Sequence, residues 1–134
     1  MLDSSLLIAG ERRGQCAWDI LERAKASQGE TENALSAITI VELTHGIYRA
    51  KSEADRQRRC VFVEELSQAI PVHPVTLEIA QLAGRIEGEQ AAKGVVIALP
   101  DLLIGVTALH LGYSVATLNA RHFRLVPGLS VVQL

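Results

Sequence analysis

Disulfides, metal-binding cysteines and membrane-spanning runs are all missing from this 134-residue sequence. Its only two cysteines, Cys16 and Cys60, stand in no C-x-x-C or Cys/His spacing, which argues against a disulfide framework and a zinc site. The longest apolar runs fall far short of the ~18 to 20 residues that span a bilayer, and no basic segment precedes an apolar one at the start. We therefore expect a cytoplasmic protein with no membrane contact.

Basic excess and aromatic residues are also scarce. Thirteen Lys and Arg against fifteen Asp and Glu give a formal net charge of −2, and only 4% of the residues are aromatic. The chain therefore has no overall positive charge that would indicate a nucleic-acid partner, and binding of a polyanion would depend on a local basic patch or a metal ion. Base stacking has few aromatic residues to use, so RNA specificity would come from shape or phosphate positioning.

What the chain does have is enough apolar sequence for one core. Apolar residues make up 49% of it, and there is no repeat and no linker rich in Pro, Gly or Ser. A folded chain of this length removes roughly 65 to 70% of its unfolded surface from water. We therefore expect a single domain over residues 1–134.

Short strands alternate with helices along the chain. Strands are predicted at residues 1–3, 34–38, 114–118 and 131–134, with the two-proline segment 70–75 as an edge strand or an extended connection. Helices are predicted over 15–27, from Thr39, from Ser52 or Glu53, from Thr76 to Lys93, over 101–111 and over 120–123. This alternation predicts an α/β fold with a mainly parallel sheet.

Apolar residues at helical spacing give the candidate core. The helix over 101–111 is apolar on nearly every face and should be buried on most sides. The other helices contribute Trp18, Leu21, Ala24, Val41, Leu43, Ile47, Tyr48, Val61, Phe62, Leu66 and Ala69. Some of Trp18, Leu21, Val61 and Phe62 could instead form an exposed groove or a dimer face, and the sequence does not sort them.

Four polar residues occupy equivalent places in this alternation. Asp3 follows the first strand, Glu42 lies in the first turn of the helix after the second, Asp101 starts the apolar helix, and Asn119 follows the strand over 114–118. The carboxyl ends of parallel strands share one edge of a sheet, so Asp3, Glu42 and Asn119 should converge there, and Asp101, at a helix start facing the same edge, can join them. Three clustered carboxylates and an amide oxygen repel one another unless a divalent cation joins them, and such hard oxygen ligands suit Mg²⁺ or Mn²⁺.

Each of these residues also has a purely structural interpretation. Thr39 and Glu42 match a capping box, and Asp101 behind Pro100 is a good N-cap. Asn119 alone is most often a turn residue, and Asp3 alone is an early surface acid. Capping accounts for the residues singly but not for their joint placement.

Four short blocks of sequence contain these residues, and they are distributed along the chain from residue 2 to residue 123. They read LDSSLLI at 2–8, SAITIVEL at 36–43, PDLLIGVTAL at 100–109 and ATLNARHF at 116–123. In content and order they resemble the motifs of PIN-domain nucleases, in particular the VapC-type toxins of bacterial toxin-antitoxin pairs. Each block alone is weak, whereas the four together are specific.

The resemblance implies a PIN-like three-layer domain with a short, mainly parallel central sheet flanked by helices. It also implies a Mg²⁺- or Mn²⁺-dependent endoribonuclease whose acidic site corresponds to Asp3, Glu42, Asp101 and the position of Asn119. Family members usually form homodimers, and a cognate antitoxin protein usually blocks the cleft. Asn119 supplies no charge and His122 stands where the family often has an acid, so one metal should be held firmly and a second recruited with the RNA.

We accordingly assign candidate roles to the site residues. Asp3 and Asp101 would contact the metal directly, Glu42 would contact the metal or its water, and Asn119 would contact a second metal or orient water. Ser5, Thr117 and Arg121 are candidates for water or phosphate contacts. Further basic candidates for RNA binding are Arg12 with Arg13, Arg49 with Lys51, Arg56 with Arg58 and Arg59, and Arg124, although a charge run is usually a solvated face.

Two other functions remain open at this point. One is a catalytically silent PIN-fold module that binds RNA or a protein, which the uncharged Asn119 and the His122 departure would permit. The other is a phosphotransfer enzyme with Asp3 as nucleophile. That second alternative is weak, because Ser5 stands where such enzymes carry another aspartate.

Overall fold

The computed structural model describes residues 1–29 and 31–134, and over these residues it confirms the alternation of helices and strands. Its helices are α1 (Ser4–Arg12), α2 (Ala17–Gln28), α3 (Ala37–Tyr48), α4 (Glu53–Ala69), α5 (Leu77–Ala92), α6 (Leu99–Leu111) and α7 (Ala120–Phe123). Its strands are β1 (Leu35–Ser36), β2 (Val72–His73), β3 (Val115–Thr117) and β4 (Val131–Gln133).

The strands are all parallel, as expected. β1 pairs with β2, and β3 pairs with β4. The amino-terminal segment 1–3 joins the two pairs, because the Leu2 N–H donates to the Ala34 carbonyl at 2.9 Å and the Asp3 N–H donates to the Ala116 carbonyl at 3.0 Å. Leu2 and Ala116 form a parallel bridge. The resulting order is β2, β1, segment 1–3, β3, β4, with Asp3 at the carboxyl end of the central segment.

Helices cover both faces of this narrow sheet. Neighbouring residues of a strand point to opposite faces, and here Leu2 and Ala116 pack into one apolar cluster whereas Met1 and Val115 pack into another. The first cluster contains residues of α1, α2, α3 and α4, and the second contains residues of α6 and α7. The fold therefore has three layers, as the sequence resemblance implied.

Helix α1 was not predicted from the sequence. Its buried residues are Ser4, Leu7, Gly10 and Glu11, of which only Leu7 is a large apolar residue. The helical period of this segment is therefore hidden from an analysis of hydrophobicity. Gly10 permits the close approach of α1 to α2, since a Cβ atom at this position would collide with the Ile20 side chain.

Three predicted helix starts are wrong. The helix predicted from residue 15 begins at Ala17. Helix α3 begins at Ala37 rather than at Thr39, because the Ser36 hydroxyl caps it by accepting from the Ile38 N–H at 3.1 Å. The capping box between Thr39 and Glu42 is therefore absent, and Glu42 lies beyond the first turn. Helix α6 begins at Leu99 with Ala98 as its N-cap, so Asp101 lies in the first turn and is not the cap.

Pro100 explains why α6 can begin two residues earlier than predicted. A proline in the first turn of a helix lacks only an N–H that would have no partner there, and its fixed φ suits the helix. Other boundary signals were interpreted correctly: Ser52 caps α4, Thr76 caps α5, and Gly112 ends α6 at φ +79°. None of the described helices has the length and apolar composition needed to cross a membrane.

Part of the predicted core is exposed. Leu21, Leu43 and Phe62 are buried, as expected, together with Ala24, Ile47 and Leu66. Trp18 is 64% exposed, Tyr48 is 75% exposed, and Val41, Val61 and Ala69 are also exposed. Helical spacing placed these residues on apolar faces, but no other described part of the chain covers them.

Candidate active site

The predicted acidic residues converge at the carboxyl edge of the sheet. Asp3 ends the central segment, Glu42 projects from α3 just after β1, and Asp101 comes from the first turn of α6. Burial, followed by the charges of Asp3 and Asp101, raises the pKa of Glu42. Burial, followed by the charge of Asp3, raises the pKa of Asp101. Asp3 and Asp101 are thus close enough to Glu42 to disfavour its ionisation, and Asp3 is close enough to Asp101 to do the same.

Asp3 is the most enclosed of the three, with 3% of its surface exposed. Its Oδ2 accepts hydrogen bonds from Ser5 Oγ at 2.7 Å and from Thr117 Oγ1 at 2.8 Å. No Lys, Arg or His within residues 1–29 and 31–134 forms an ion pair with it. Two hydroxyls therefore fix the orientation of this carboxylate while leaving its charge without a counter-ion.

These two hydroxyls also fix the loop after β3. Ser5 Oγ accepts from the Leu118 N–H at 3.1 Å, and Thr117 Oγ1 accepts from the Asn119 N–H at 2.9 Å. The start of α1 is thereby linked to the end of β3 through Asp3. Ser5 and Thr117, predicted as contacts for water or phosphate, already have protein partners on both the donor and the acceptor side.

Glu42 has the most unusual environment of the acidic residues. Its Oε1 is buried and has no hydrogen-bond partner within the described residues. The Ser4 side chain opposes the rise in its pKa without cancelling it. Sequence analysis gave Ser4 no role, although the residue directly follows Asp3. An unpartnered buried acceptor is unfavourable, and a cation would satisfy it.

Asp101 has a histidine as its neighbour. His122 Nδ1, from α7, lies 3.3 Å from Asp101 Oδ2, and this histidine lowers the pKa of Asp101 against the larger effect of burial. Asn119 is exposed and occupies the N-cap position of α7 without a side-chain capping bond. Arg121 is exposed on the same short helix. Asn119, the fourth predicted site residue, therefore lies at the expected edge of the sheet, and its side-chain amide makes no capping hydrogen bond.

The donors fit a hydrated divalent ion better than a closed protein cage. Within the part of the chain that the structure describes, no three His, Cys, Asp or Glu side chains stand close enough to hold a metal ion as they are. Mg²⁺ commonly uses one or two carboxylates, several waters and the phosphates of its substrate. The hard oxygen atoms of Asp3 and Asp101 and the unpartnered Glu42 Oε1 suit that kind of site.

The three arginines of the basic run Arg56 to Arg59 form ion pairs within the chain. Arg56 pairs with Glu53 at 3.3 Å, and Arg58 pairs with Asp55 and with Glu11, each at 3.1 Å. Arg59 lies 3.8 Å from Glu11 and also donates to the Gly46 carbonyl at 2.7 Å. This run is therefore partly a solvated face, as weighed from the sequence, and partly a set of counter-ions for Glu11.

Comparison with known proteins gives consistent matches. The family model described as PIN domain matches residues 1–129. The chain is similar to Ribonuclease VapC of Rickettsia bellii, with 30% identity over 132 residues covering 98% of this chain and 93% of that protein. It is similar to Ribonuclease VapC1 of Rickettsia felis, with 29% identity over 136 residues and the same two coverages. The solved structure of DNA-bound VapBC from Salmonella typhimurium superposes with a TM-score of 0.81 at 25% identity, covering 99% of this chain and 96% of the matched one.

Proposed function

This chain belongs to the PIN-domain family, and from that premise we propose that it is a Mg²⁺- or Mn²⁺-dependent endoribonuclease acting as the toxin of a toxin-antitoxin pair. One observation carries the proposal. Asp3, Glu42 and Asp101 meet at one edge of the sheet, and no lysine or arginine of the described residues neutralises them. The names of the similar ribonucleases support the same chemistry.

The chemistry follows from where negative charge accumulates. Cleavage of a phosphodiester concentrates negative charge on phosphorus, and a bound divalent ion stabilises that charge and lowers the pKa of a coordinated water. In the proposed site Asp3 and Asp101 hold the ion, and Glu42 holds the ion or orders its water. Asn119 orients water or a second ion that arrives with the RNA.

The surrounding residues prepare this site for phosphate. Ser5 and Thr117 keep Asp3 in one orientation, so its free oxygen needs no reorganisation on binding. Asp101 lies in the first turn of α6, where unpaired backbone N–H groups give a partial positive charge. We assign to that helix start a contact with the phosphate being cleaved, and to Arg121 a contact with a neighbouring phosphate.

The direct test is cleavage of structured RNAs by the purified chain with Mg²⁺, with Mn²⁺ and with EDTA. We expect discrete internal cleavage products with either ion and intact RNA with EDTA. The Asp101→Asn variant, purified in the same way, is the control for contaminating nucleases, because a contaminant would cleave RNA in both preparations. Intact RNA under both metal conditions, across a panel that includes tRNAs, would contradict the proposal.

A catalytically silent module that binds RNA or protein is the second candidate. The observation that favours it is the uncharged Asn119 together with the contact of His122 to Asp101, which places a basic group against one of the proposed ligands. The same assay separates the two functions. RNA binding without cleavage in either metal would favour the silent module.

We further propose an antitoxin partner, a homodimer and a cytoplasmic location. The antitoxin is supported by the similarity to the VapBC structure. The homodimer is supported by large apolar side chains, such as Trp18, Val41 and Tyr48, that are exposed in the single chain. Size-exclusion chromatography with light scattering measures the oligomeric state, and a strict monomer would exclude the dimer.

A further inference from the structure

A cavity of about 550 Å³ opens beside the acidic site, between α1, α3 and α4. Helix α3 connects the two, because Glu42, His45, Gly46 and Arg49 line the cavity at positions i, i+3, i+4 and i+7. Residues at this spacing lie on one face of a helix. Glu42 therefore belongs to both places, with its carboxylate at the acidic site and its helical face directed along the cavity.

Three cations at this cavity have no counter-ion among the residues that the structure describes. Arg12 comes from α1, Arg49 follows the last turn of α3, and Lys51 lies just beyond it. None of the three forms an ion pair with, or a side-chain hydrogen bond to, any residue within 1–29 and 31–134. All three are exposed at the surface, so they remain available to a ligand.

The other acids that line the cavity do not offset these cations. Glu11 is paired with Arg58 and Arg59, and Asp55 is paired with Arg58. Glu42 alone has no cationic partner among the described residues. The cavity thus carries, in addition to Glu42, three cations with no ion pair in the described part of the chain, and its ligand should be an anion.

The dimensions and the lining suit a short piece of nucleic-acid backbone. Arg49, the C-cap of α3, lies seven positions after Glu42, which corresponds to about 10 Å along the α3 axis. A volume of this size accommodates a ligand of roughly one or two nucleotides. Ile8, Leu43 and Phe62 contribute apolar surface to the lining, against which a ribose or a base can pack while its phosphates face the cations.

We propose that this cavity binds the RNA backbone next to the bond that is cleaved, with Arg12, Arg49 and Lys51 as its phosphate contacts. The inference rests on the proposed function, since it takes the acidic edge as the place of cleavage. It goes further by naming the direction in which the RNA leaves that edge, along α3 toward Arg49. An acidic protein segment would also satisfy the three cations, and its binding is the alternative outcome of the test.

The test measures RNA binding without cleavage. A fluorescein-labelled single-stranded RNA is titrated with the full chain in EDTA, its integrity is checked on a gel, and the titration is repeated at several salt concentrations. Each lost phosphate contact lowers the slope of log K against log salt by about 0.7 for a single strand. Arg49→Glu should therefore weaken binding and lower the slope by about 0.7, and the double variant Arg12→Ala with Lys51→Ala should lower it by about 1.4.

Lys93→Glu is the matched control. Lys93 occupies the C-cap of α5 as Arg49 occupies the C-cap of α3, and both are exposed without an ion pair in the described residues. Both substitutions therefore carry the same helix-end penalty. We expect Lys93→Glu to retain the wild-type slope and affinity. Thermal melts confirm folding, and Arg49→Gln replaces Arg49→Glu if the latter fails to fold.

The outcomes separate this inference from the proposed function. Slopes equal to that of Lys93→Glu in every cavity variant would overturn the subsite, even if the wild-type chain cleaves RNA with Mg²⁺. A cavity-dependent slope in a chain that never cleaves RNA would support the subsite and contradict the nuclease. If the variants lose affinity for poly-glutamate but keep their affinity for RNA, the cavity binds an acidic peptide and the proposal is overturned.

Discussion

The two ends of helix α1 carry buried carboxylates that are treated in opposite ways. Near its carboxyl end, Glu11 is 7% exposed and is neutralised by the guanidinium groups of Arg58 and Arg59. Just before its start, Asp3 is 3% exposed and contacts two hydroxyls in a neighbourhood that contains Glu42 and Asp101. The degree of burial is similar, whereas the supply of positive charge differs.

This difference distinguishes a structural acid from a functional one. Removing a carboxylate from water is unfavourable unless a cation or several donors compensate it. The chain supplies that compensation to Glu11 itself, and the ion pairs join α1 to α4. At Asp3 the described residues supply two hydroxyl donors and no cation, so binding of an external cation there would be favourable. Burial alone would not have told the two sites apart.

Asp101→Asn should give the largest effect and tests the functional half of the comparison. The change keeps the shape but removes one charge from the proposed cation site, so cleavage should fall roughly 10³-fold or more. The melting temperature should stay within a few degrees of wild type. Single-turnover cleavage with Mg²⁺ and thermal melting measure the two quantities.

Glu78→Gln is the control for Asp101→Asn. Glu78 is the first-turn acid of α5, as Asp101 is of α6, so both substitutions remove the same interaction with a helix end. Cleavage should be unchanged in Glu78→Gln. Retained Mg²⁺-dependent cleavage in Asp101→Asn would refute the role assigned to this residue.

Thr117→Val tests whether the hydroxyls around Asp3 matter for catalysis. The substitution preserves shape and removes one of the two donors to Asp3 Oδ2, and loss of such an orienting partner typically lowers activity about 10- to 100-fold. Thr107→Val is the matched control, because Thr107 is also fully buried and its hydroxyl bonds only to the Leu103 carbonyl within α6. Equal cleavage rates in Thr117→Val and Thr107→Val would contradict the proposal that the Thr117 hydroxyl orients Asp3 for catalysis.

Glu11→Gln tests the structural half of the comparison. It removes the charge shared with Arg58 and Arg59, and we expect a loss of about 1 to 2 kcal/mol in the free energy of unfolding. The loss is at the low end for a buried pair because the Arg58 side chain is 57% exposed and can turn to water. Cleavage at saturating RNA should be unchanged, as measured per folded molecule.

The control for Glu11→Gln is Glu89→Gln. Glu89 pairs with Arg85 at 3.9 Å on the surface of α5, with both side chains largely exposed, and such pairs contribute little. Its urea midpoint should therefore match that of wild type. A Glu11→Gln variant as stable as Glu89→Gln would show that the ion pairs of Glu11 do not hold α1 against α4.

The same comparison shows what could be predicted from the sequence. Helices with local signals were located well: Ser52 and Thr76 cap helices and Gly112 ends one, and these effects depend on residues within a single turn. Helix α1 was missed because Leu7 is the only large apolar residue on its buried face. The other buried residues, Ser4, Gly10 and Glu11, are buried only because distant elements pack on them. Tertiary packing here overrides the hydrophobic pattern.

The acidic edge was foreseeable for a topological reason. Parallel strands bring their carboxyl ends together, so Asp3, Asn119 and the helix that carries Glu42 converge without any knowledge of side-chain packing. Among the described residues, Asp101 follows no strand, and it was marked by its place at a helix start and by its sequence block. The contact of Ser4 with Glu42 and the pairing of Glu11 with Arg58 could not be derived in this way. They depend on how α1, α3 and α4 cross, and hydrophobic spacing does not encode that geometry.

The smallest expected effect concerns the pH dependence of stability and comes from Glu42→Gln. The pKa of Glu42 is raised in the folded state above its usual 4.5, so ionisation is less favourable in the folded than in the unfolded chain. The folded state therefore loses stability as pH rises from 4.5 through the folded pKa, and it regains that stability on acidification.

In EDTA at pH 7, Glu42→Gln should melt up to a few degrees above wild type, and the difference should vanish below pH 4.5. With added Mg²⁺ at pH 7, wild type should melt above Glu42→Gln, because a bound cation stabilises the ionised Glu42 carboxylate and interacts only weakly with the glutamine amide. A variant that melts below wild type in EDTA would mean that Glu42 is compensated within the chain, as Glu11 is, and the contrast between the two sites would be lost.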